Sequence, residues 1–438
     1  NADVMELEFL GGAGEVGRSA VLVDGSLLLD YGLKTGTPTQ YPVGDVDPEA
    51  VVVSHGHLDH AGAVPALLSG SDRPAVHWTP PTRDLARVLA RDTLKLHGGT
   101  MQCPFTEEDL HRVGEVSHPH GYGETFEAAG YEVTLYNAGH IPGSAHVLVD
   151  DGDTRLLYTG DFHIDAEESE TTGPGGQRLV AGSTARPDAD VVICESTYSD
   201  VSHDPRHEVE QRFAESVRTT LWEGGTVVVP AFAIGRTQEM LLVCAAHDLE
   251  CYVDGMGVEV TEICRQYPEY VRDHDALKRA VGNAREVTGR DGQRKRIPEK
   301  NTVIVTTAGM LSGGPAMTYV PAIADRPVNK IAFTGYQVEG TPGRELLDTG
   351  SAEIDGRRMP VAARAERYDV SAHAGLFRML DSDTLPATVH GTLHVPAVAS
   401  GVQGARRCGV APTRLRGTDS HAAVCLQCRA RVHSERSQ

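Results

Sequence analysis

The sequence predicts an α/β protein, a two-sheet sandwich into which a second α/β domain is inserted. Over about the first 200 residues, strand patterns alternate with helix patterns, and polar residues follow the predicted strands. That arrangement is typical of a sandwich whose loops meet along one edge. From about residue 200 the chain has its own strand–helix rhythm, and residues 361–390 return to strand, helix and strand. We expect the sandwich at 1–199 and 359–395, the insert at 200–358, and an atypical tail at 396–438.

Apolar periodicity predicts the elements of both domains. The first strands, at 4–9 and 20–30, are joined by a glycine-rich run at 11–17. We interpret this run as a tight turn, because no helix pattern follows it as a nucleotide-binding loop would require. Further strands are predicted at 131–137, 156–162, 226–230, 302–307 and 330–334, and helices at 63–68, 82–97, 205–222 and 235–247.

Composition indicates an intracellular protein adapted to salt. The 438 residues carry a net charge of −21, with carboxylates spread along the chain, and only six of the 40 basic residues are lysine. This balance suggests a halophilic host, in which salt screens the repulsion between an acidic surface and a polyanionic substrate. No apolar run is long enough to cross a membrane, and the first residues lack a signal-peptide pattern. Mostly isolated cysteines also fit a reducing compartment, so we expect a cytoplasmic protein.

A dense group of metal-ligand side chains follows one predicted buried strand. Residues 51–53 are all valine, and His55, His57, Asp59 and His60 come directly after them. Two histidines two residues apart can turn toward one metal ion, and the Asp–His pair can reach a second. Imidazole and carboxylate ligands without sulfur suit zinc better than manganese or iron. The competing interpretation is a polar surface loop, which this density of ligands disfavours.

Three further polar residues follow predicted strands. His140 lies in Gly-His-x-x-Gly-Ser, Asp161 lies in Thr-Gly-Asp-Phe, and Asp30 ends the run Leu-Leu-Leu-Asp. If the strand ends meet at one edge, these side chains converge on the histidine loop. For each of them, an ordinary residue at a strand end remains the alternative.

The run His-x-His-x-Asp-His after a strand resembles the signature of the metallo-β-lactamase superfamily. That resemblance implies an αββα sandwich and two zinc ions as cofactors, which lower the pKa of a shared water and clamp the substrate. In such a site Asp161 bridges the two ions, and Asp30 orients the histidine loop from the second shell of contacts. The implied ligands are His55, His57 and His140 for one ion, and Asp59, His60 and a late histidine for the other.

Three glycine-containing motifs, at 230–239, 307–316 and 333–344, resemble those of the beta-CASP nucleases. This group includes RNase J and the nuclease subunit of the cleavage and polyadenylation specificity factor with its short archaeal relatives. The similarity covers about residues 5–390. It implies that His390 completes the second zinc site. It also implies that His373, polarised by Glu195, protonates the leaving 3′ oxygen, a role suited to a histidine with a carboxylate partner.

The sequence indicates contacts to RNA less specifically than it indicates the metal ligands. Backbone amides of Ser312, Gly313 and Gly314 would cradle a phosphate, and Arg236 is a further candidate contact, although a purely structural turn explains the glycines nearly as well. The basic loop around 285–300 would contact the RNA backbone or serve as a solvated linker. In the tail, Cys408, Cys425, Cys428 and His433 would suit a zinc knuckle, but one Cys-x-x-Cys pair is a weak signal.

These patterns predict a zinc-dependent ribonuclease that hydrolyses single-stranded RNA and leaves 5′ phosphates and 3′ hydroxyls. Asp161, Glu195 and His373 form the predicted catalytic group. Two alternatives stay open: a thioester or lactam metallo-hydrolase, and an inactive RNA-binding scaffold. The sequence decides neither endonuclease against 5′→3′ exonuclease action nor whether the protein is a homodimer.

Overall fold

A computed structural model describes residues 5–36, 38–100, 102–165, 175–198, 201–289 and 292–375, with short strands at 413–414 and 422–425. The chain divides into two compact units. Unit 1 comprises Asn1–Ile164, Ser183–Ser202 and His373–Gln438, and unit 2 comprises Asp165–Gly182 and His203–Ala372. The segment expected at 359–395 is therefore divided between the two units at residue 372.

Unit 1 is a sandwich of two sheets. Its strands are β1 (Glu6–Gly11), β2 (Ala20–Val23), β3 (Leu27–Leu29), β4 (Ala50–Val52), β5 (Ala75–Trp78), β6 (Ser117–Pro119), β7 (Thr125–Ala128), β8 (Tyr131–Asn137), β9 (Ala145–Asp150), β10 (Arg155–Tyr158) and β11 (Val191–Cys194). Its helices are α1 (Leu58–Ala61), α2 (Pro80–His97) and α3 (Glu107–Arg112), with a 3-10 turn at Val64–Leu68. The first sheet holds β1 to β6 in chain order, and the second has the order β11-β10-β9-β8-β7.

Side-chain alternation explains why the central strands read as continuous apolar runs. Leu27, Leu29 and Val52 point into the core between the sheets, whereas Leu28 and Val51 point into a second core. That second core includes residues of α2 and α3, so these helices cover the outer face of the first sheet. Strands buried on both faces are apolar at every position, which the valine and leucine runs satisfy.

Unit 2 is built on a parallel sheet with the order β14-β13-β15-β12-β16-β19. Its strands are β12 (Val227–Pro230), β13 (Cys251–Asp254), β14 (Ala284–Glu286), β15 (Val303–Thr306), β16 (Lys330–Phe333), the hairpin β17 (Ser351–Ile354) with β18 (Arg357–Pro360), and β19 (Arg364–Arg367). Its helices are α4 (Arg206–Trp222), α5 (Arg236–Ala246), α6 (Gly257–Gln266), α7 (His274–Asn283), α8 (Gln293–Arg296), α9 (Ala316–Ile323) and α10 (Pro342–Thr349), with 3-10 turns at Pro268–Tyr270 and Ile297–Lys300.

Several predicted elements need correction. The single strand expected at 20–30 is the hairpin β2–β3, because Asp24 and Gly25 both have positive φ and form the tight turn that suits twisted strands. The strand expected to reach residue 162 ends at Tyr158, and the helix expected from 63 is a 3-10 turn. Two short strands from the expected tail join the edges of unit 1: β20 (Thr413–Arg414) pairs with β1, and β21 (Ala422–Cys425) with β11. None of the described helices is long and apolar enough to cross a membrane.

Candidate metal centre

The ends of five strands bring predicted site residues of unit 1 together. Asp30 follows β3 and His55 follows β4, which run parallel in the first sheet. His140, Asp161 and Glu195 follow β8, β10 and β11, which run in one direction in the second sheet. Both sheets therefore contribute loops to the same edge, as the sequence predicts.

Asp30 organises the histidine loop from behind. Its fully buried carboxylate accepts hydrogen bonds from the backbone N–H of Ser54 at 2.6 Å and from the Ser54 hydroxyl at 2.7 Å. The same carboxylate lies 2.6 Å from Nδ1 of His60 and accepts the hydroxyl of Tyr158 at 2.7 Å. An Nδ1–H donated to Asp30 leaves Nε2 of His60 as the nitrogen that can bind a metal ion.

Small residues let the loops approach closely. Gly160 has φ of +54°, and a Cβ atom there would lie 2.8 Å from the side chain of Ser54. In the loop of His140, the Ser144 hydroxyl accepts the N–H groups of His140 and Ile141 at 3.0 and 3.2 Å. The close approach at Gly160 therefore brings the loop of Asp161 against the histidine loop, and the Ser144 contacts fix the conformation of the loop that carries His140.

Asp161 lies between His60 on one side and His55 with His140 on the other. Its Oδ1 is 3.4 Å from Nε2 of His60, whereas its Oδ2 is 3.7 Å from Nε2 of His55 and 3.8 Å from Nε2 of His140. Nε2 of His140 is also 3.2 Å from Nδ1 of His57. One carboxylate thus presents a different oxygen to each group, which is the arrangement a bridging ligand needs.

Burial and mutual charge set the protonation of the site. Burial lowers the pKa of His55 well below its ordinary value, and the neighbouring His60 adds to that effect. Burial also opposes a charge on His60, yet Asp161 and Asp30 outweigh it and raise the pKa of His60 well above its ordinary value. Burial would raise the pKa of Asp161, but His60 and His373 hold it well below the usual range.

The donor atoms fit divalent metal ions. Ligand atoms of His55, His57, His140 and Asp161 lie within 4.8 Å of one another, and so do those of His55, Asp59 and His60. In the described part of the chain, the buried Nε2 of His55 has no hydrogen-bond partner. A buried nitrogen of this kind is costly unless something binds it. Nitrogen and oxygen donors without sulfur are suited to zinc.

Glu195 and His373 form a pair beside Asp161. Nδ1 of His373 is 3.1 and 3.0 Å from the two carboxylate oxygens of Glu195 and 4.0 Å from Oδ2 of Asp161. Glu195 is buried and also accepts the N–H of Phe162 at 2.8 Å. The Ala374 N–H donates to the Phe162 carbonyl at 2.8 Å, which anchors the segment that carries His373. An imidazole held through Nδ1 can use Nε2 for proton transfer.

Comparisons with known proteins agree with this geometry. A Metallo-beta-lactamase superfamily profile matches residues 13–196, and a Beta-Casp domain profile matches residues 237–346. The chain is 38% identical over 386 residues to RNase aCSPSF2 of Saccharolobus solfataricus, an alignment that covers 86% of this chain and 75% of that protein. The chain belongs to the beta-CASP group of the metallo-β-lactamase superfamily.

Other members of the beta-CASP group are also similar. Probable RNase MJ4 of Methanocaldococcus jannaschii is 33% identical over 385 residues, covering 85% of this chain and 88% of that protein. Transcription termination factor FttA of Thermococcus kodakarensis is 32% identical over 449 residues, covering 88% and 66%. A solved structure of a protein of unknown function from Enterococcus faecalis has a TM-score of 0.53 at 11% identity, covers 85% of this chain and 89% of that chain, and supports the fold alone. The predicted membership in a family of metal-dependent ribonuclease hydrolases is confirmed.

The beta-CASP motifs in unit 2 have partly structural roles. Arg236 donates from its guanidinium to the backbone carbonyl of Val370. Glu239, at the end of the same motif, is fully buried and accepts the N–H groups of Arg178 and Leu179, both at 2.8 Å. Ser312, Gly313 and Gly314 form the turn before α9. His390, like the tail cysteines proposed as a zinc knuckle, has a side chain outside the described residues.

Sequence reasoning missed several residues that support the site. Ser54 and Tyr158 contact Asp30, and neither shows a signal in the sequence beyond its place at a strand end. His163 lies in no motif of the sequence, and its Nδ1 is 3.2 Å from the backbone carbonyl of His373. His146 likewise lies in no motif, and it is buried between the Thr159 carbonyl and the Ser183 hydroxyl, each at 2.9 Å.

Proposed function

We propose that this protein is a zinc-dependent ribonuclease that hydrolyses phosphodiester bonds of single-stranded RNA. The observation that carries the proposal is the position of Asp161. Its Oδ1 faces His60, its Oδ2 faces His55 and His140, and the Glu195–His373 pair lies beside it. A metal cage and a proton donor at one point suit the metal-assisted hydrolysis of a phosphodiester.

The side chains on this chain divide naturally into two ligand sets. We assign one zinc to His55, His57 and His140, and the other to Asp59, His60 and His390, with Asp161 shared. When bound, two zinc ions lower the pKa of the attacking water and neutralise charge on the phosphate. Asp30 holds Nδ1 of His60 and so leaves Nε2 as the nitrogen that a metal ion would bind in place of a proton. Burial lowers the pKa of His55 and His57, which favours the neutral form that binds metal.

His373 is proposed as the general acid. Its proton on Nε2 passes to the 3′ oxygen as the P–O3′ bond breaks and the water oxygen bonds to phosphorus. The products are a 5′ phosphate and a 3′ hydroxyl. Glu195 holds Nδ1–H of His373 and compensates its charge, and the Phe162 N–H holds Glu195 in turn. Positioned donors of this kind typically accelerate reactions about 10²–10⁴-fold.

The turn before α9 supports a phosphate-binding role for Ser312, Gly313 and Gly314. The three consecutive N–H groups donate to no acceptor among the residues that the structure describes. Successive free amides at the start of a helix attract anions. We therefore keep this turn as a proposed contact to the RNA backbone, and Arg236 as an accessory residue.

A cleavage assay tests the proposed function. Labelled single-stranded RNA is incubated with the protein and zinc in molar KCl, and the product ends are mapped. We expect 5′ phosphates, a loss of activity in His57→Ala, and normal activity in His111→Ala, a control at an exposed histidine on α3. Absence of cleavage by the native chain, or full activity in His57→Ala, would contradict the proposal.

Two further substrates separate the alternatives. Thioester or lactam hydrolysis without RNA cleavage would indicate the small-molecule hydrolase, and RNA binding without hydrolysis would indicate the scaffold. A circular RNA then distinguishes the two modes of cleavage, because only an endonuclease can open it.

A further inference from the structure

We infer that Phe232 and Tyr336 form a platform in unit 2 on which bases of single-stranded RNA stack. This inference rests on the proposed ribonuclease function and names residues that would hold its substrate. Phe232 is 41% exposed and Tyr336 is 45% exposed, and Val338 beside them is 40% exposed. Phe232 follows β12 and Tyr336 follows β16, so both lie on turns at the carboxyl ends of parallel strands.

The two aromatic residues lie on neighbouring turns. Strand β12 pairs with both β15 and β16, so their carboxyl ends are adjacent. Gly309, on the turn after β15, lies against both the turn of Phe232 and the turn of Tyr336. A Cβ atom at Gly309 would lie 3.0 Å from the Phe232 nitrogen, and its carbonyl accepts Nε2 of Gln337 at 3.2 Å. Phe232 and the Tyr336–Gln337 turn therefore flank the same glycine.

Exposure of these side chains is unusual for this protein. Aromatic residues make up only 5% of the sequence. Of the large apolar side chains that are exposed in the described ranges, three lie on these two turns: Phe232, Tyr336 and Val338. Exposed apolar groups that cluster at one place commonly mark a binding surface.

The chemistry of the surroundings favours a nucleic acid as the ligand. The turn that contains Gly309 continues to Ser312–Gly314, whose amides suit a phosphate. Amides that bind a phosphate, placed beside aromatic rings, would suit single-stranded RNA, because its charged phosphates alternate along the chain with the flat faces of its bases. Stacking has a further advantage in a chain with a net charge of −21, because it needs no attraction between opposite charges.

The test removes each ring but keeps an apolar side chain. Phe232→Leu and Tyr336→Leu are made in a His373→Ala background, which slows cleavage during binding. The matched control is Trp222→Leu, because Trp222 is 87% exposed and ends α4, ahead of the amino end of β12. Binding is measured by fluorescence anisotropy with a labelled RNA and with an abasic oligomer of equal length, at low salt and in molar KCl.

We expect each ring removal to weaken RNA binding by about 5- to 150-fold, the range that corresponds to loss of one stacked base. Affinity for the abasic oligomer and the dependence on salt should stay unchanged, and Trp222→Leu should bind like its parent. Equal losses with both oligomers, or no loss with RNA, would overturn the platform.

Light scattering tests whether a second copy of this chain, instead of RNA, binds the Phe232–Tyr336 surface. If ring removal converts a dimer to a monomer without changing RNA affinity, the patch is a self-association surface and the inference is wrong. If the native chain neither binds nor cleaves RNA, the proposed function fails as well. If the native chain cleaves RNA and the ring variants bind RNA as tightly as their parent, the platform is refuted and the proposed ribonuclease function is not.

Discussion

Nδ1 of His373 lies 3.0 Å from a carboxylate oxygen of Glu195, although 178 residues separate the two in the chain. His373 is also the residue at which the chain returns to unit 1, after His203–Ala372 of unit 2. The contact sets which nitrogen of the ring is available, and it is the structural basis for assigning an acid to the proposed reaction.

Replacing His373 with alanine should reduce the rate of RNA cleavage by about 10²–10⁴-fold, because the leaving oxygen loses its proton donor. Zinc content should not change, and this is checked by metal analysis of the purified variant. The distinction matters because Asp161, Glu195 and His373 also lie close enough to hold an ion. A variant that lost zinc with its activity would identify His373 as a ligand instead.

Replacing Asp30 with asparagine should weaken zinc binding by about 10- to 100-fold, the usual effect of losing a carboxylate behind a ligand histidine. The amide would face Nδ1–H of His60 and the Tyr158 hydroxyl without the charge that holds them. Zinc affinity is measured by competition with a chelator. Asp72→Asn, at an exposed carboxylate, is the control and should bind zinc normally. Equal zinc affinities in the two variants would show that Asp30 does not contribute to zinc binding.

Chelation of zinc should lower the unfolding temperature, and added zinc should restore it. Ligands that bind only the folded state stabilise it by about 4 kcal/mol at a thousand times their dissociation constant. His140→Ala should reduce the gain, because it removes a donor from the cage around Asp161. Thermal unfolding at several zinc concentrations measures this, and a midpoint indifferent to zinc would contradict a resident metal.

Replacing Glu239 with glutamine should destabilise the protein by about 3 kcal/mol, because it removes one of the two carboxylates that pair with the buried Arg206. Glu239 is fully buried and pairs with Arg206, whose side chain is only 8% exposed. The matched control is Asp204→Asn, which breaks a pair with Arg212 in which both side chains are 57% exposed. That change should cost less than about 1 kcal/mol. Denaturant unfolding compares them, and similar losses would show that burial does not matter here.

Acid should destabilise the protein partly through His77. Burial, with the nearby charges of His120 and His118, lowers the pKa of His77 to about 4. Since the unfolded chain binds the proton first, the stability due to a neutral His77 is present above pH 6.5 and is lost as the pH falls toward 4. At pH 5 the loss is about 2 kcal/mol.

The variant His77→Phe isolates this effect, because a phenyl ring can keep the stacking with Phe126. Unfolding is measured in chelator at pH 7 and pH 5, so that metal ligands contribute equally to both proteins. We expect the variant to lose less stability than the native chain between these values, and His111→Gln to match the native chain. A pH dependence unchanged by His77→Phe would contradict the assignment.

Much of the fold followed from the sequence because buried strands leave a continuous apolar signal, as in the run at 226–230 that forms β12. The hairpin at Asp24–Gly25 was missed although this dipeptide is a known turn signal. Valines and leucines on both sides of the turn gave the pattern of one continuous apolar strand. The limits of the units depend on pairing between distant strands. Strand β19 pairs with β16, and no local pattern in 364–367 indicates that choice.

That these candidate side chains are metal ligands stays a prediction. Their convergence could be predicted because each follows a strand and carries a chemically distinctive side chain. The supporting contacts could not, since Ser54 and Tyr158 are common residues whose roles arise only when two sheets are packed together. Zinc as the metal, the role of His390, RNA contacts, a cytoplasmic location and a halophilic host stay predictions.

The hydrogen bond from Tyr158 to Asp30 crosses from one layer of the sandwich to the other. The donor set is divided in the same way, with His55 to His60 on one layer and His140 and Asp161 on the other. His55, Asp59 and His60 lie on one layer, but the donors grouped around Asp161 come from both layers. Metal affinity at Asp161 should therefore depend on the alignment of the two layers, and we expect any substitution that shifts one sheet over the other to weaken it, however far from the histidines that substitution lies.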